Sequence, residues 1–124
     1  MSERESSTGP PRPQPCRGEV WGVSLDPVRG HEQGGERPCL VISADPFNHS
    51  PAELVVLLPI TTRDRGVPLH MAVQPPEGGL RWPSFIMGNQ VRTVTQERLT
   101  QRWGAVSATT RAAVEYRLRR LLQL

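Results

Sequence analysis

The chain has 124 residues, 36% of them hydrophobic, two cysteines and a formal net charge of +3, which suits one domain burying a core without metal or disulfide staples. No apolar run nears the roughly 18 residues of a membrane span and the N-terminus has no apolar signal core, so a soluble cytoplasmic protein is expected. Every basic side chain is arginine, and residues 1–53 carry five Arg against eight acids while residues 54–124 carry ten against four, a basic half that suits a polyanion such as RNA.

Residues 1–16, rich in Ser, Pro and charge, cannot offset the entropy of ordering and read as a disordered tail ahead of a domain spanning 17–124. Alternating apolar residues then predict strands over Val20 to Leu25, Pro38 to Ser43, Glu53 to Ile60, Val67 to Val73 and Ser84 to Val94, separated by Gly and Pro turns. Thr95 is read as the cap of a short helix through Gln96 to Gln101, with Leu99 and Trp103 facing inward. Ser107 is the expected N-cap of a C-terminal helix whose Val114, Leu118, Leu121 and Leu122 share one face. The fold class is mainly β with α, an α+β arrangement built on a compact antiparallel sheet or small barrel. Cys16 and Cys39 have no metal-ligand spacing, so neither zinc nor a disulfide is expected.

Chemistry concentrates in Gly30-His31-Glu32-Gln33-Gly34-Gly35-Glu36-Arg37-Pro38, which sets an imidazole, carboxylates and a guanidinium on one glycine-rich loop. Downstream, Pro59-Ile60-Thr61-Thr62-Arg63 ends an apolar run with two hydroxyls, and a hydroxyl beside a guanidinium can hold one anionic oxygen. RNA cleavage without a metal needs a base for the ribose 2′-OH, a cation for the phosphorane and an acid for the leaving 5′-oxygen. Glu32 or His31 suits the base or acid, Arg37 the cation and Thr61 a phosphate donor. The residues alone leave other readings open: Arg37 as an ion-pair partner of Glu36 or Glu32, His31 and His49 as solvated loop residues, His70 as a satisfied strand histidine. Trp21 and Trp103 read as core, whereas Trp82 beside Arg81 in a Gly/Pro loop suits stacking on a base.

The order Arg17-Gly18-Glu19-Val20-Trp21, Leu25-Asp26-Pro27, Gly30-His31-Glu32-Gln33, Arg37-Pro38, Pro59-Ile60-Thr61 and Gln90-Val91-Arg92-Thr93 resembles the MazF/PemK (Kid) family of toxin endoribonucleases. The resemblance implies an SH3-like barrel, a homodimer, and cofactor-free, metal-independent cleavage of single-stranded RNA at short sequences, leaving a 2′,3′-cyclic or 3′-phosphate and a 5′-hydroxyl. It also implies a cognate MazE/PemI-like antitoxin whose acidic segment covers the RNA groove. By position it makes Arg37 and Thr61 the catalytic pair, with Glu32 and His31 supporting. RNA-binding candidates are Gln33, Thr62, Arg63, Arg65, Trp82, Asn89, Gln90 and Arg92. Met87 and Asn89 stand where the PemK-like branch has an Arg and an Asp, and Asn89 cannot act as a carboxylate base. Two alternatives are a gyrase-binding toxin of the same fold, like CcdB, though its Trp-Gly-Ile terminus is missing here, and a catalytically weakened RNA-binding protein.

Overall fold

The computed structural model describes residues 13–25 and 35–124; the loop candidates His31, Glu32 and Gln33, and residues 1–12 of the expected tail, lie outside the described residues. Seven strands and two helices follow in chain order: β1 (Glu19–Ser24), β2 (Glu36–Val41), α1 (Asp45–Asn48), β3 (Leu54–Thr61), β4 (His70–Val73), β5 (Ser84–Met87), β6 (Arg92–Thr95), β7 (Leu99–Ala105) and α2 (Ala108–Leu122). All pairings are antiparallel, in the order β4-β5-β3-β2-β1-β7, with β6 also paired to β3. The mainly-β α+β class is therefore as expected, although no ladder among the described residues joins β4 to β7 and the sheet stays open.

β3 is the centre of this arrangement. One edge pairs β2 through Leu57, Leu58 and Pro59, while the other pairs β6 from Leu54 to Leu57 and β5 at Ile60 and Thr61. Pro59 falls between the β6 and β5 segments of that second edge, a place where a residue without an N–H is tolerated inside a sheet.

Both faces of the sheet are covered, which explains why its central strands read as nearly continuous apolar runs. One core cluster joins Val20, Leu40, Leu58, Ile60, Ile86 and Val114 of α2. The other joins Trp21, Val23, Cys39, Val41, Val55, Leu57 and Leu99. Neighbours such as Leu40 and Val41, or Leu57 and Leu58, thus point into opposite cores.

Three expectations need correction. The helix placed over Gln96 to Gln101 is only a 3-10 turn at Gln96–Arg98, without a side-chain bond from Thr95. Leu99 onwards becomes strand because β1 otherwise lacks a partner on that edge, and the ladder with β7 runs from Glu19↔Ala105 to Val23↔Leu99. The single run Ser84 to Val94 breaks into β5 and β6 at a turn closed by Gln90 N donating to Met87 O at 3.1 Å. Finally, the C-terminal apolar stripe leaves the sheet: Val114 is 3% exposed, but Leu121 and Leu122 are 41% and 55% exposed.

α1, which the sequence reading left out, is tied down by a polar knot. Buried Asn48 donates to Ser43 O at 2.9 Å, Ser43 Oγ donates to Asn48 Oδ1, and buried Gln96 donates to Asn48 O and to Leu54 O. α2 begins as expected, with Ser107 Oγ accepting from Thr110 N at 3.1 Å. Glu77 adds a second cap by accepting from Ser107 N at 2.9 Å. Hydrogen bonds from Thr110 and Ser107 hold its carboxyl below the ordinary glutamate value of 4.5, and a carboxylate there also favours the helix dipole.

The loop carrying Glu77 lies against β7 at glycines. A Cβ on Gly79, whose φ is +73°, would sit 2.1 Å from Trp103 O, and one on Gly104 would sit 2.8 Å from the Gly78 carbonyl carbon. Gly79→Ala is expected to cost about 2 kcal/mol or more in denaturant unfolding, by backbone overlap and a strained φ together. Glu77→Gln should cost about 1 kcal/mol at neutral pH. Because the folded-state pKa of Glu77 is depressed, that difference is full above about pH 4.5 and should shrink as pH falls through the folded value; a pH-independent difference would show that the carboxylate charge is irrelevant.

Candidate active site

The β2–β3 register brings the site together. The ladder ends with Cys39 facing Pro59, and just beyond that end Arg37 of β2 and Thr61 of β3 line the same cleft. Arg37, Pro38, Ile60, Thr61, Thr62, Arg63, Arg65 and Ser84 line one cleft of about 410 Å³. Five of the expected site residues are therefore neighbours: Thr61 at the end of β3, Thr62, Arg63 and Arg65 on the loop after it, and Arg37 on β2.

Thr61 is 8% exposed, and its Oγ1 accepts the Arg63 N–H at 3.1 Å. That bond occupies a lone pair and leaves the hydroxyl proton available for an anion. The Arg37, Arg63 and Arg65 guanidinium groups make no ion pair among the described residues. The reading of Arg37 as the ion-pair partner of Glu36 does not hold. The Glu36 carboxylate folds over Gly22, where a Cβ would collide with it, and accepts a hydrogen bond from Thr100 Oγ1 on β7. Three arginines and a hydroxyl lining one cleft have the chemistry to hold an oxyanion.

A second depression of about 570 Å³ adjoins the first and shares Pro38, Thr62 and Ser84 with it. Trp82 lines it, together with Arg81, Arg102 and Trp103, of which the sequence reading assigned none but Trp82 to a site. Arg102 and Trp103 were hidden by the helix expected near Gln101; as strand β7 they lie beside β1. Arg102 Nε donates to Glu19 at 2.8 Å. Burial raises the Glu19 pKa, but hydrogen bonds from Trp21, Arg102 and Cys16 outweigh it and hold the carboxyl below its ordinary value. Trp21 is core as expected, whereas Trp103 is only half-buried.

The remaining candidates lie apart from the Arg37–Thr61 cleft. Asn89 Oδ1 accepts from His70 Nε2 at 3.1 Å at the β4–β5 end, while His70 Nδ1 is buried without a partner among the described residues. His70 is thus only half satisfied. His49, exposed as expected, bonds Pro15 O through Nε2 at 2.8 Å. Gln90 is an exposed turn residue. Arg92 is half-buried and donates to Leu25 O at 3.5 Å, and Arg98 donates to the Ser24 and Leu25 carbonyls at 3.0 and 3.1 Å. These two arginines hold the end of β1 at Ser24 and Leu25. Among the described residues no group of three or more His, Cys, Asp or Glu could hold a metal ion.

Residues 16–122 match the family described as the PemK-like, MazF-like toxin of type II toxin-antitoxin systems. The chain is 33% identical over 113 residues to the endoribonuclease MazF9 of Mycobacterium tuberculosis, covering 87% of this chain and 96% of that protein. It is 37% identical over 87 residues to the endoribonuclease EndoA of Bacillus subtilis, covering 69% of this chain and 75% of that one. Among solved structures it resembles MazF of Deinococcus radiodurans, with a TM-score of 0.73 at 27% identity over 89% of this chain and 97% of that one. A MazE–MazF structure from the same organism gives a TM-score of 0.77 at 26% identity, over 90% and 97% of the two chains.

Beneath Arg37, Cys39 is fully buried, and burial pushes its thiol up to about 12 despite the opposing pull of Arg92 and Arg37. A thiol held neutral there is neither nucleophile nor metal ligand at physiological pH. In the native protein at pH 8, iodoacetamide is expected to spare Cys39 and to modify it only after denaturation, as read by peptide mass spectrometry. Labelling of Cys39 at the rate of a free thiol would contradict its burial.

Proposed function

The chain belongs to the PemK-like, MazF-like toxin family, and from that premise we propose that the Arg37–Thr61 cleft is where it cuts single-stranded RNA. The protein is a sequence-specific endoribonuclease toxin. Its partner is a cognate MazE-type antitoxin, the pairing found in the Deinococcus radiodurans complex. The observation that carries the site is that Arg37, Arg63 and Arg65 line one cleft with Thr61, and that no carboxylate is among the described residues lining it.

Attack by the ribose 2′-OH on its own phosphate forms a pentacoordinate phosphorane with two negative charges, which then expels the 5′-oxygen. Arg37 meets the developing charge with paired N–H donors, and Thr61 donates its hydroxyl proton to a non-bridging oxygen, oriented by the N–H of Arg63. Arg63 and Arg65 bind flanking phosphates, and Thr62 adds a neutral donor. His31 and Glu32, outside the described residues, are the supporting candidates for base and acid, and Gln33 is a candidate for contact with the RNA. Asn89 is committed to His70 and supplies no carboxylate. The products carry a 2′,3′-cyclic or 3′-phosphate and a 5′-hydroxyl, and no metal is required by this chemistry.

The unpaired guanidinium groups also attract an acidic antitoxin segment, which competes with RNA for the same charge. A homodimer fits the exposed Tyr116, Leu121 and Leu122 on α2, at 58%, 41% and 55% exposure. No helix among the described residues is long and apolar enough to cross a membrane.

Incubation with a long single-stranded RNA in EDTA, with the fragment ends sequenced, is expected to show cutting at a short motif with 5′-hydroxyl ends. Arg37→Ala and Thr61→Val should each lower the rate by roughly a hundredfold to a thousandfold, the scale of losing one oxyanion donor. Undiminished cutting by Arg37→Ala would sink this mechanism, and no cutting together with gyrase inhibition would favour the gyrase-binding reading.

A further inference from the structure

Trp82 is 68% exposed, the most exposed aromatic residue among those described. Folding leaves one of the largest apolar side chains in water, yet its loop is braced. Leu80, two residues earlier, is 4% exposed. Gly79 abuts the Trp103 carbonyl, Ser84 Oγ donates to Trp82 O at 2.7 Å, and Pro83 restricts Trp82 to extended backbone. The indole is thus held out by a fixed support.

Beside it lies the depression that Trp103 also lines, and whose Pro38, Thr62 and Ser84 belong equally to the Arg37–Thr61 cleft. Trp103 Nε1 is buried with no acceptor among the described residues. Arg81 makes no ion pair or hydrogen bond there. The two spaces join at Pro38, Thr62 and Ser84, and the second offers an aromatic face at Trp82 beside the Arg81 cation, while its one described carboxylate, Glu36, accepts from Thr100 Oγ1. That sequence of chemistry matches one nucleotide: a flat base followed by the next phosphate.

We propose that this depression is a nucleobase subsite of the nuclease, in which a base flanking the scissile phosphate stacks on Trp82 while Arg81 holds the adjoining phosphate. Trp82 is then a specificity-determining residue, selecting by stacking rather than by assisting bond cleavage. The proposal rests on the nuclease reading above. A protein segment seated on Trp82, including a second copy of this chain, is the competing occupant.

The test compares the full-length wild type, Trp82→Phe and Trp82→Ala on a long single-stranded RNA, with fragment ends sequenced and KM and kcat measured on a short substrate. All three should cut. Trp82→Ala should raise KM about tenfold to a hundredfold, the worth of one stacked base, with kcat within about twofold and preference lost at one position beside the cut. Trp82→Phe should keep both. A short substrate with an abasic ribose at that position should weaken the wild type by the same factor and leave Trp82→Ala unaffected. Unchanged KM and an unchanged cleavage profile in Trp82→Ala would overturn the subsite, as would a loss explained by altered oligomeric state in light scattering. Absence of cutting by the wild type would overturn the nuclease reading and the subsite with it.

Discussion

The antiparallel register between β2 and β3 is the constraint on which the rest depends. Pairing Cys39 with Pro59, Leu40 with Leu58 and Val41 with Leu57 sends alternate side chains into two separate cores, Leu40 and Leu58 to one and Cys39, Val41 and Leu57 to the other. A slip by one residue would exchange the faces of the whole strand. Just past the end of that ladder, Arg37 and Thr61 line one cleft. Core packing and the geometry of the proposed site are therefore linked, since the apolar residues that pair β2 with β3 also bring a cation and a hydroxyl to one cleft at the ladder's end.

At that end the protein tolerates a concentration of positive charge. Described carboxylates near these arginines or on neighbouring strands are engaged with other donors: Asp64, between Arg63 and Arg65, accepts from Gly66 N, Glu36 from Thr100 across Gly22, Glu19 from Arg102, Trp21 and Cys16, and Glu77 from the N-terminus of α2. Each satisfies a structural donor rather than neutralising Arg37, Arg63 or Arg65. Like charges held close are unfavourable in the free protein, and a polyanion relieves that repulsion. RNA and an acidic antitoxin segment share this property, so under the proposed function one electrostatic feature would serve both activity and inhibition.

Much of this was legible along the chain. The strands β1, β2 and β3 follow from apolar runs, and the α2 cap follows from Ser107. The resemblance in motif order pointed to Arg37 and Thr61 as partners although they are far apart in sequence. What misled was local preference. Gln96 to Gln101 has helical composition, but β1 needed an edge partner, and the ladder from Leu99 to Ala105 overrode it. The stripe of Leu118, Leu121 and Leu122 has the spacing of a buried face, yet only its first turns reach the sheet.

Composition, charge asymmetry and motif order by themselves determined the fold class, the family resemblance and the kind of chemistry, because each depends on residue identity and on order along one strand. Only the tertiary structure decided which arginines share a cleft. It set Arg63 and Arg65 beside Arg37 and placed Arg92 and Arg98 on the carbonyls that end β1. It also joined Trp82 to Trp103 in a second depression beside the first. Those outcomes depend on pairings between strands distant in sequence and on glycine contacts between a loop and β7, and no local pattern encodes which distant backbone a residue will meet.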